Sequence, residues 1–477
     1  MIESHSSPAS GPIHTQRTIR QLLTVLLVLT AIMLVMAEPI AMILSFVLLS
    51  VLSFYSRKIA LVTLVTSSLI SVFYWLYLSY AYHLELYLST SYWAAAKAAL
   101  VLPMIASLFA LMHFKVIKYD RSYKYLLVFL AILALSLLKG MLTSPFVSVA
   151  YLVNVYFPLL LQFLIVAWVS NYIASKGLSG SRYIGSPTFK LLIFVVLFFS
   201  TVFFVLQSIF DFSLNDIFLD IGQLLGRGGA EGNTRTVLFG MRLERFPGLF
   251  ADPILAAYSL FLFFAYIWFF VRHIAAKVIG LVCCVVLAVA TFSKAFFFLL
   301  ACFIAVNVCL RLKASDGVKF ALSLFATGCA VLIISLRALM AGITDSSAIH
   351  VQGLILPFVS AESVVSFFIG HDLGTGGNMG GWVTQGAESF IGLVMYNTGL
   401  IGLLCLALFC LSVLRSAVKT RTNAGYFLFS VSLSILSASF LQENSFNLSF
   451  SVLRVCCYTL ILYSILKVVG FNERKNL

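Results

Sequence analysis

The sequence predicts an all-α polytopic membrane protein: a single integral membrane domain over residues 1–477, with about 14 transmembrane helices. Composition is the first reason, since 61% of residues are hydrophobic, only 10% are charged and mean hydropathy is +1.05. Apolar runs of about 16–25 residues without period-2 alternation are the second, because in lipid such runs satisfy their backbone only as helices. Third is the placement of charge. Of 31 Lys and Arg, 22 fall in short gaps between runs, and these gaps alternate along the chain. By the positive-inside rule those gaps are cytoplasmic, which puts both termini inside and makes the helix count even. The acids mirror this, with only Glu3, Asp120, Asp316 and Glu473 of 17 falling inside. The net charge of +14 is thereby explained without nucleic acid.

The expected spans are 21–36, 40–55, 59–82, 92–113, 124–141, 146–172, 190–210, 252–271, 278–292, 295–310, 320–340, 388–413, 425–440 and 446–467. No cleavable signal-peptide pattern opens the chain, so the first run reads as a retained helix. Glu38-Pro39 makes a tight outer turn, Pro suiting a helix start. Lys176 to Lys190, rich in Gly and Ser, reads as a cytoplasmic linker. Thr291 to Lys294 joins the ninth and tenth spans outside. All nine cysteines fall within expected spans, as small packing residues do, so neither a disulfide framework nor a metal knuckle is expected.

Two long polar loops lie outside. Loop one, 211–251, carries Arg227, Arg235, Arg242 and Arg245, and Asp252-Pro253 reads as an N-cap with Pro at the first helical position. Arg242 and Arg245 offer planar, always-charged forks suited to phosphate oxygens; lipid headgroups, or Glu244 and Asp252, are the alternative partners. Loop two, 341–387, has no Lys or Arg but holds Asp345, His350, Glu362, His371 and Asp372. Its segment Val351 to Phe368, half apolar with Pro357 inside, reads as two short helices at the membrane interface. Gly370 to Gly381 reads as a loop: either Gly374 and Gly376 let backbone amides approach an anion or a sugar, or the segment is a flexible lid. His350, His371 and Asp372 lack the spacing of a zinc site, and no metal or cofactor is expected.

Further charges stand near the outer ends of spans. Arg337, Lys294 and Arg454 are candidate phosphate contacts. Arg454, about nine residues into the last span, is a functional candidate by its depth, a buried structural pair being the alternative. Lys97 and Lys139 read as snorkelling side chains. Glu388-Ser389 opens the twelfth span, where Glu388 either serves the helix dipole or accepts a proton from a sugar hydroxyl. Glu443 and Asn444 add polar groups of the kind that bind sugars, or form a solvated turn.

Together these features resemble the Wzy-type O-antigen or exopolysaccharide polymerases and the related O-antigen ligases. The resemblance covers roughly residues 190–450. Arg245-Phe-Pro-Gly248-Leu-Phe-Ala-Asp252-Pro253 is similar to the family's Arg, Gly, Phe, Asp-Pro stretch. Ser293-Lys294 resembles its Ser-Arg/Lys pair, and Gly370 to Gly376, Glu388-Ser389 and Gly399-Leu-Ile-Gly402 resemble its Gly-rich stretch, polar pair and Gly-x-x-Gly helix. The chain departs from the ligases, which have His-Asn where Glu388-Ser389 stands. It also lacks the family's second-loop arginine, for which His350 is the nearest substitute.

The resemblance implies a GT-C-like glycosyltransferase in the bacterial inner membrane with a periplasmic active site. It implies undecaprenyl-diphosphate-linked glycans as donor and acceptor, no metal, and partnership with a chain-length regulator and a flippase. On that reading Arg245, Arg242, Arg337, Lys294 and Arg454 hold the diphosphate. Glu388 is the base with His371 and His350 in reserve, and Asp372, Gly374, Gly376, Glu443 and Asn444 meet the glycan. An O-antigen ligase, a lipid-linked oligosaccharide flippase and a cell-wall glycan polymerase of the SEDS type are the rival expectations.

Overall fold

The computed structural model describes residues 39–83, 101–113, 122–178, 185–210, 235–238, 241–246, 249, 253–341, 346–359, 363–374, 376 and 389–475. Its helices are α1 (Pro39–Ser53), α2 (Arg57–His83), α3 (Val101–His113), α4 (Tyr123–Thr143), α5 (Pro145–Ser175), α6 (Pro187–Phe210), α7 (Pro253–Phe270), α8 (Ile274–Ala290) and α9 (Lys294–Arg311). They continue as α10 (Asp316–Ala341), α11 (Ser346–Val359), α12 (Val364–Ile369), α13 (Phe390–Lys419), α14 (Asn423–Ala438) and α15 (Leu448–Lys475). The expected spans from the second onward overlap these helices, the fourth (92–113) only over 101–113 because 92–100, like the first span 21–36, lie outside the described residues.

Among the described residues, eight segments are long and apolar enough to cross a membrane: Tyr123–Thr143, Pro145–Ser175, Pro187–Leu206, Pro253–Phe270, Lys294–Arg311, Asp316–Met340, Phe390–Lys419 and Leu448–Lys467. The chain is thus a helical multi-pass membrane protein. Large apolar side chains line its outside, Leu142 at 88% and Phe146 at 91% exposure among them, as a lipid-facing surface requires. One short hairpin accompanies the helices. Within loop one, β1 (Arg235–Leu238) pairs antiparallel with β2 (Met241–Glu244), Leu238 opposite Met241. Arg-Thr-Val-Leu is a β-prone run, and Gly240 stands between the strands in sequence.

The helix interfaces are rich in small hydroxyl residues. Ser67, Ser170, Ser434 and Ser437 are buried, and each donates to the carbonyl four residues back, which satisfies the hydroxyl within its own helix. At the centre stands α13, which packs against α4, α5, α11, α12 and α14.

Contacts between turns sort the helix ends into two faces. At one, Arg421 forms an ion pair with Asp316 (3.0 Å), Asn423 donates to the Phe269 carbonyl, and Tyr266 bonds Ser186. The Asp316 carboxylate that accepts its hydrogen bond raises the Arg421 pKa above its ordinary value. At the other, Phe246 N–H donates to the Ala290 carbonyl (3.0 Å), and Ile391 N–H to that of Ser439 (3.2 Å). The turns at Ser186, Phe269, Asp316 and Arg421 thus share one face and those at Phe246, Ala290, Ile391 and Ser439 the other, in agreement with the charge alternation. Single cysteines replacing Arg421 and Lys294 in a cysteine-free background should therefore label from opposite sides of a sealed membrane. Labelling of both from one side would contradict this arrangement.

Candidate functional site

The end that gathers the long loops holds three clusters of polar groups, and α13 connects two of them. The first is built on a buried arginine. Since α15 begins at Leu448, Arg454 is its seventh residue, about 9 Å along the axis at 1.5 Å per residue. Arg454 is 2% exposed. Its Nη2 donates to the Ser445 carbonyl and to Ser451 Oγ (2.9 Å). The guanidinium carbon lies 5.9 Å from the Tyr258 ring centroid and 5.6 Å from that of Phe446. Nε and Nη1 have no hydrogen-bond acceptor, and among the described residues no carboxylate pairs with this side chain.

Around it, the Tyr258 hydroxyl donates to Gln442 Oε1 (2.7 Å) and shares a hydrogen bond with Ser445 Oγ (2.9 Å). The turn Glu443–Phe446 is a short 3-10 helix, so the backbone of Glu443 and Asn444 lies at the rim of this cage. An always-charged group buried with two N–H groups unsatisfied is costly unless an anion completes it.

The second cluster starts one ring away. Phe446 meets Phe390, the first residue of α13, with ring centroids 5.0 Å apart. Ser389 caps α13, its Oγ accepting from Gly392 N–H (3.1 Å). The helix therefore begins two residues after Glu388, which lies outside the described residues. Further along, α13 breaks: Gly399 adopts φ 63° and ψ −174°, nine residues past Phe390 and so about 13 Å along the axis. Loop two crosses this break. A Cβ on Gly370 (φ 90°) would sit 2.4 Å from the Asn397 carbonyl, and one on Gly399 would sit 2.4 Å from the Phe368 carbonyl carbon. The two glycines allow backbone to lie directly on backbone.

Beyond the crossing, residues 371–374 are strapped down. His371 N–H donates to the Tyr396 carbonyl (2.8 Å), and its ring stacks on Tyr396 with centroids 4.5 Å apart. Ser136 of α4 donates to the His371 carbonyl (2.7 Å) and accepts at its own carbonyl from Leu373 N–H (3.0 Å). Ser148 of α5 donates to the Leu373 carbonyl. Gly374 and Gly376 are buried against Ser148 and the Tyr396 ring, and Asp372 is half-buried. The two short helices expected in loop two are α11 and α12, but the second reaches the depth of the α13 break. His350, half-buried on α11, stands one turn before Gly353, whose carbonyl meets Gly392.

Opposite the break, α5 carries a π-turn at Leu152–Tyr156. Pro158 accounts for it: without an N–H it cannot bond the carbonyl four residues back, and the ring displaces that turn. The Tyr156 hydroxyl at its end accepts from Asn397 Nδ2 (2.9 Å). Both Tyr156 and Asn397 are fully buried, so the two irregular helices are joined at membrane depth. Irregular backbone is tolerated there only where protein encloses it or a cavity is lined.

The third cluster is cationic. Arg245 is half-buried, and its Nε donates to the Thr291 carbonyl (2.9 Å) at the end of α8. Lys294 opens α9 three residues later and is exposed. The structure thus brings Arg245 to the turn that carries Lys294. Arg337 is exposed on α10, and Arg242 is placed on β2 by its backbone. No protein-family model, curated protein or solved structure matches the chain.

Sequence reading found Arg454, Arg245, His371 and the Gly-rich stretch. It missed Tyr258, Ser136, Ser148 and Tyr156, which act as partners across helices. Pro158, inside an expected span, was the available signal for the π-turn.

Proposed function

We propose that this chain is a metal-independent inverting glycosyltransferase. It polymerises undecaprenyl-diphosphate-linked oligosaccharide repeat units into O-antigen or exopolysaccharide at the periplasmic face of the bacterial inner membrane. On this reading the spans number about 14 in a GT-C-like arrangement, with both termini cytoplasmic. The observation that carries the proposal is the buried Arg454, whose two unsatisfied N–H groups and lack of a described carboxylate partner suit an oxyanion arriving from the outer leaflet.

In the proposed reaction, a hydroxyl of the acceptor repeat attacks the anomeric carbon of the donor glycan. The bond from that carbon to the diphosphate oxygen breaks, undecaprenyl diphosphate departs with the electron pair, and the configuration inverts. Arg454, and Arg245 with Lys294 at their shared turn, stabilise the charge developing on the leaving group. Arg242 and Arg337 are supporting cations. Glu388, which precedes the α13 cap, takes the hydroxyl proton, with His371 and His350 as reserve bases. The strap at Asp372, Gly374 and Gly376 and the turn at Glu443 and Asn444 border the glycan. A chain-length regulator and a flippase are the expected partners.

The test is deletion of the gene in its native bacterium, with surface and lipid-linked glycans resolved by size. Core capped with single repeats is expected. Bare core with long glycan still on the carrier means a ligase and overturns the proposal. A second prediction concerns Arg245: Arg245→Lys places a point charge where a planar fork bonds the Thr291 carbonyl, and polymer formation by purified protein should fall on the order of 10²-fold. Near-full activity would remove Arg245 from the mechanism.

One observation favours a second reading. A helix broken at membrane depth beside a π-turn is a device of transporters, whose substrate sites lie at such breaks. A lipid-linked oligosaccharide flippase would use it, and the deletion would then leave bare core with single repeats in the cytoplasmic leaflet.

A further inference from the structure

At the basic face, α8 and α9 both pack on α7 but make almost no contact with each other, so α7 floors a groove between them. Trp268 of α7 lies there, half-buried. Lys277 of α8 donates from Nζ to the Trp268 carbonyl (2.7 Å) and stands 5.0 Å from the indole centroid. Arg311, in the last turn of α9, places its guanidinium carbon 5.5 Å from the same centroid. Two cations therefore share one ring. Each is attracted to its face, but they repel each other, and among the described residues no carboxylate pairs with either. The flanks are apolar and open: Ile274 and Val278 on α8 are 77% and 54% exposed, and Val308 on α9 is 58% exposed.

We propose that Lys277, Arg311 and Trp268 form a binding site for the headgroup of an anionic phospholipid. One phosphodiester bridges the Lys277 ammonium and the Arg311 guanidinium, relieving their repulsion through charge-assisted hydrogen bonds. The acyl chains run along the apolar flanks beside Ile274, Val278 and Val308. The apolar flank selects a lipid over a free anion, and the paired charge selects an anionic lipid over a zwitterionic one. The site lies at the end opposite the loops and does not depend on the glycan reading.

The test is thermal unfolding of the purified full-length protein in detergent, titrated separately with phosphatidylglycerol, phosphatidylcholine and inorganic phosphate. Phosphatidylglycerol should raise Tm saturably, as a ligand of the folded state does. Lys277→Gln/Arg311→Gln should weaken its apparent Kd about tenfold or more, since two charged hydrogen-bonding groups are lost. The exposed pair Arg415→Gln/Lys419→Gln on the same face should leave it unchanged. Should the double variant not fold, Arg311→Gln is read in its place. An equal shift with phosphatidylcholine, an equal shift with phosphate alone, or unchanged affinity in the variant would each overturn the proposal.

Discussion

Arg454→Met is expected to make the protein more stable and inactive. Methionine fills a similar volume between Tyr258 and Phe446 without burying a charge, and replacing even paired buried charges by apolar residues of similar volume often stabilises by about 1–4 kcal/mol. The lost hydrogen bonds to the Ser445 carbonyl and to Ser451 Oγ oppose this by about 1 kcal/mol each, so the net gain is set by the upper part of that range. Polymer formation should fall on the order of 10²–10³-fold, the usual loss when one donor to a developing oxyanion is removed. Thermal unfolding in detergent and polymerisation by the same preparation give the two readouts. Gain in one and loss in the other is the signature of a ligand-binding charge. Lowered stability with retained activity would make Arg454 a brace for the Glu443–Phe446 turn and nothing more.

The second large effect concerns the crossing of loop two over α13. Gly370→Ala adds a Cβ 2.4 Å from the backbone of Asn397 at φ 90°, and Gly399→Ala adds one 2.4 Å from the backbone of Phe368 at φ 63°. Neither neighbour is a flexible side-chain end. Left-handed strain of about 1–2 kcal/mol adds to overpacking of about 1–3 kcal/mol, so each variant should lose about 3 kcal/mol or more. Gly177→Ala is the comparison: it has φ 62° but nothing within 4 Å, so only the strain applies. Similar unfolding midpoints for all three variants would mean that the two backbones do not lie on one another.

What was legible in the sequence follows from what is local. Composition and run length specify membrane helices, because lipid leaves the backbone no other partner. Pro253 and Ser389 mark helix starts by their own chemistry. The alternation of basic gaps agrees with which turns touch, as Asp316–Arg421 and Phe246–Ala290 do at opposite ends. Gly399 was visible as a glycine in a span, but its φ is set by Phe368 lying against it, thirty-one positions earlier in the chain.

The functional end was legible residue by residue and not as an arrangement. Arg454 stood out because a charge in an apolar run is conspicuous. That no described carboxylate pairs with it, and that Phe446 links it to the start of α13, depends on α7, α13 and α15 meeting. Likewise Ser136 and Ser148 are ordinary helix serines until the strap brings the His371 and Leu373 carbonyls to them. By itself, the sequence determined a multi-pass helical protein, the order of its helices and which gaps share a face, since these follow from hydrophobicity and charge summed over neighbouring residues. Only the tertiary structure decided which polar groups remain unsatisfied, where α13 breaks and what crosses it, because those depend on distances between residues far apart in the chain.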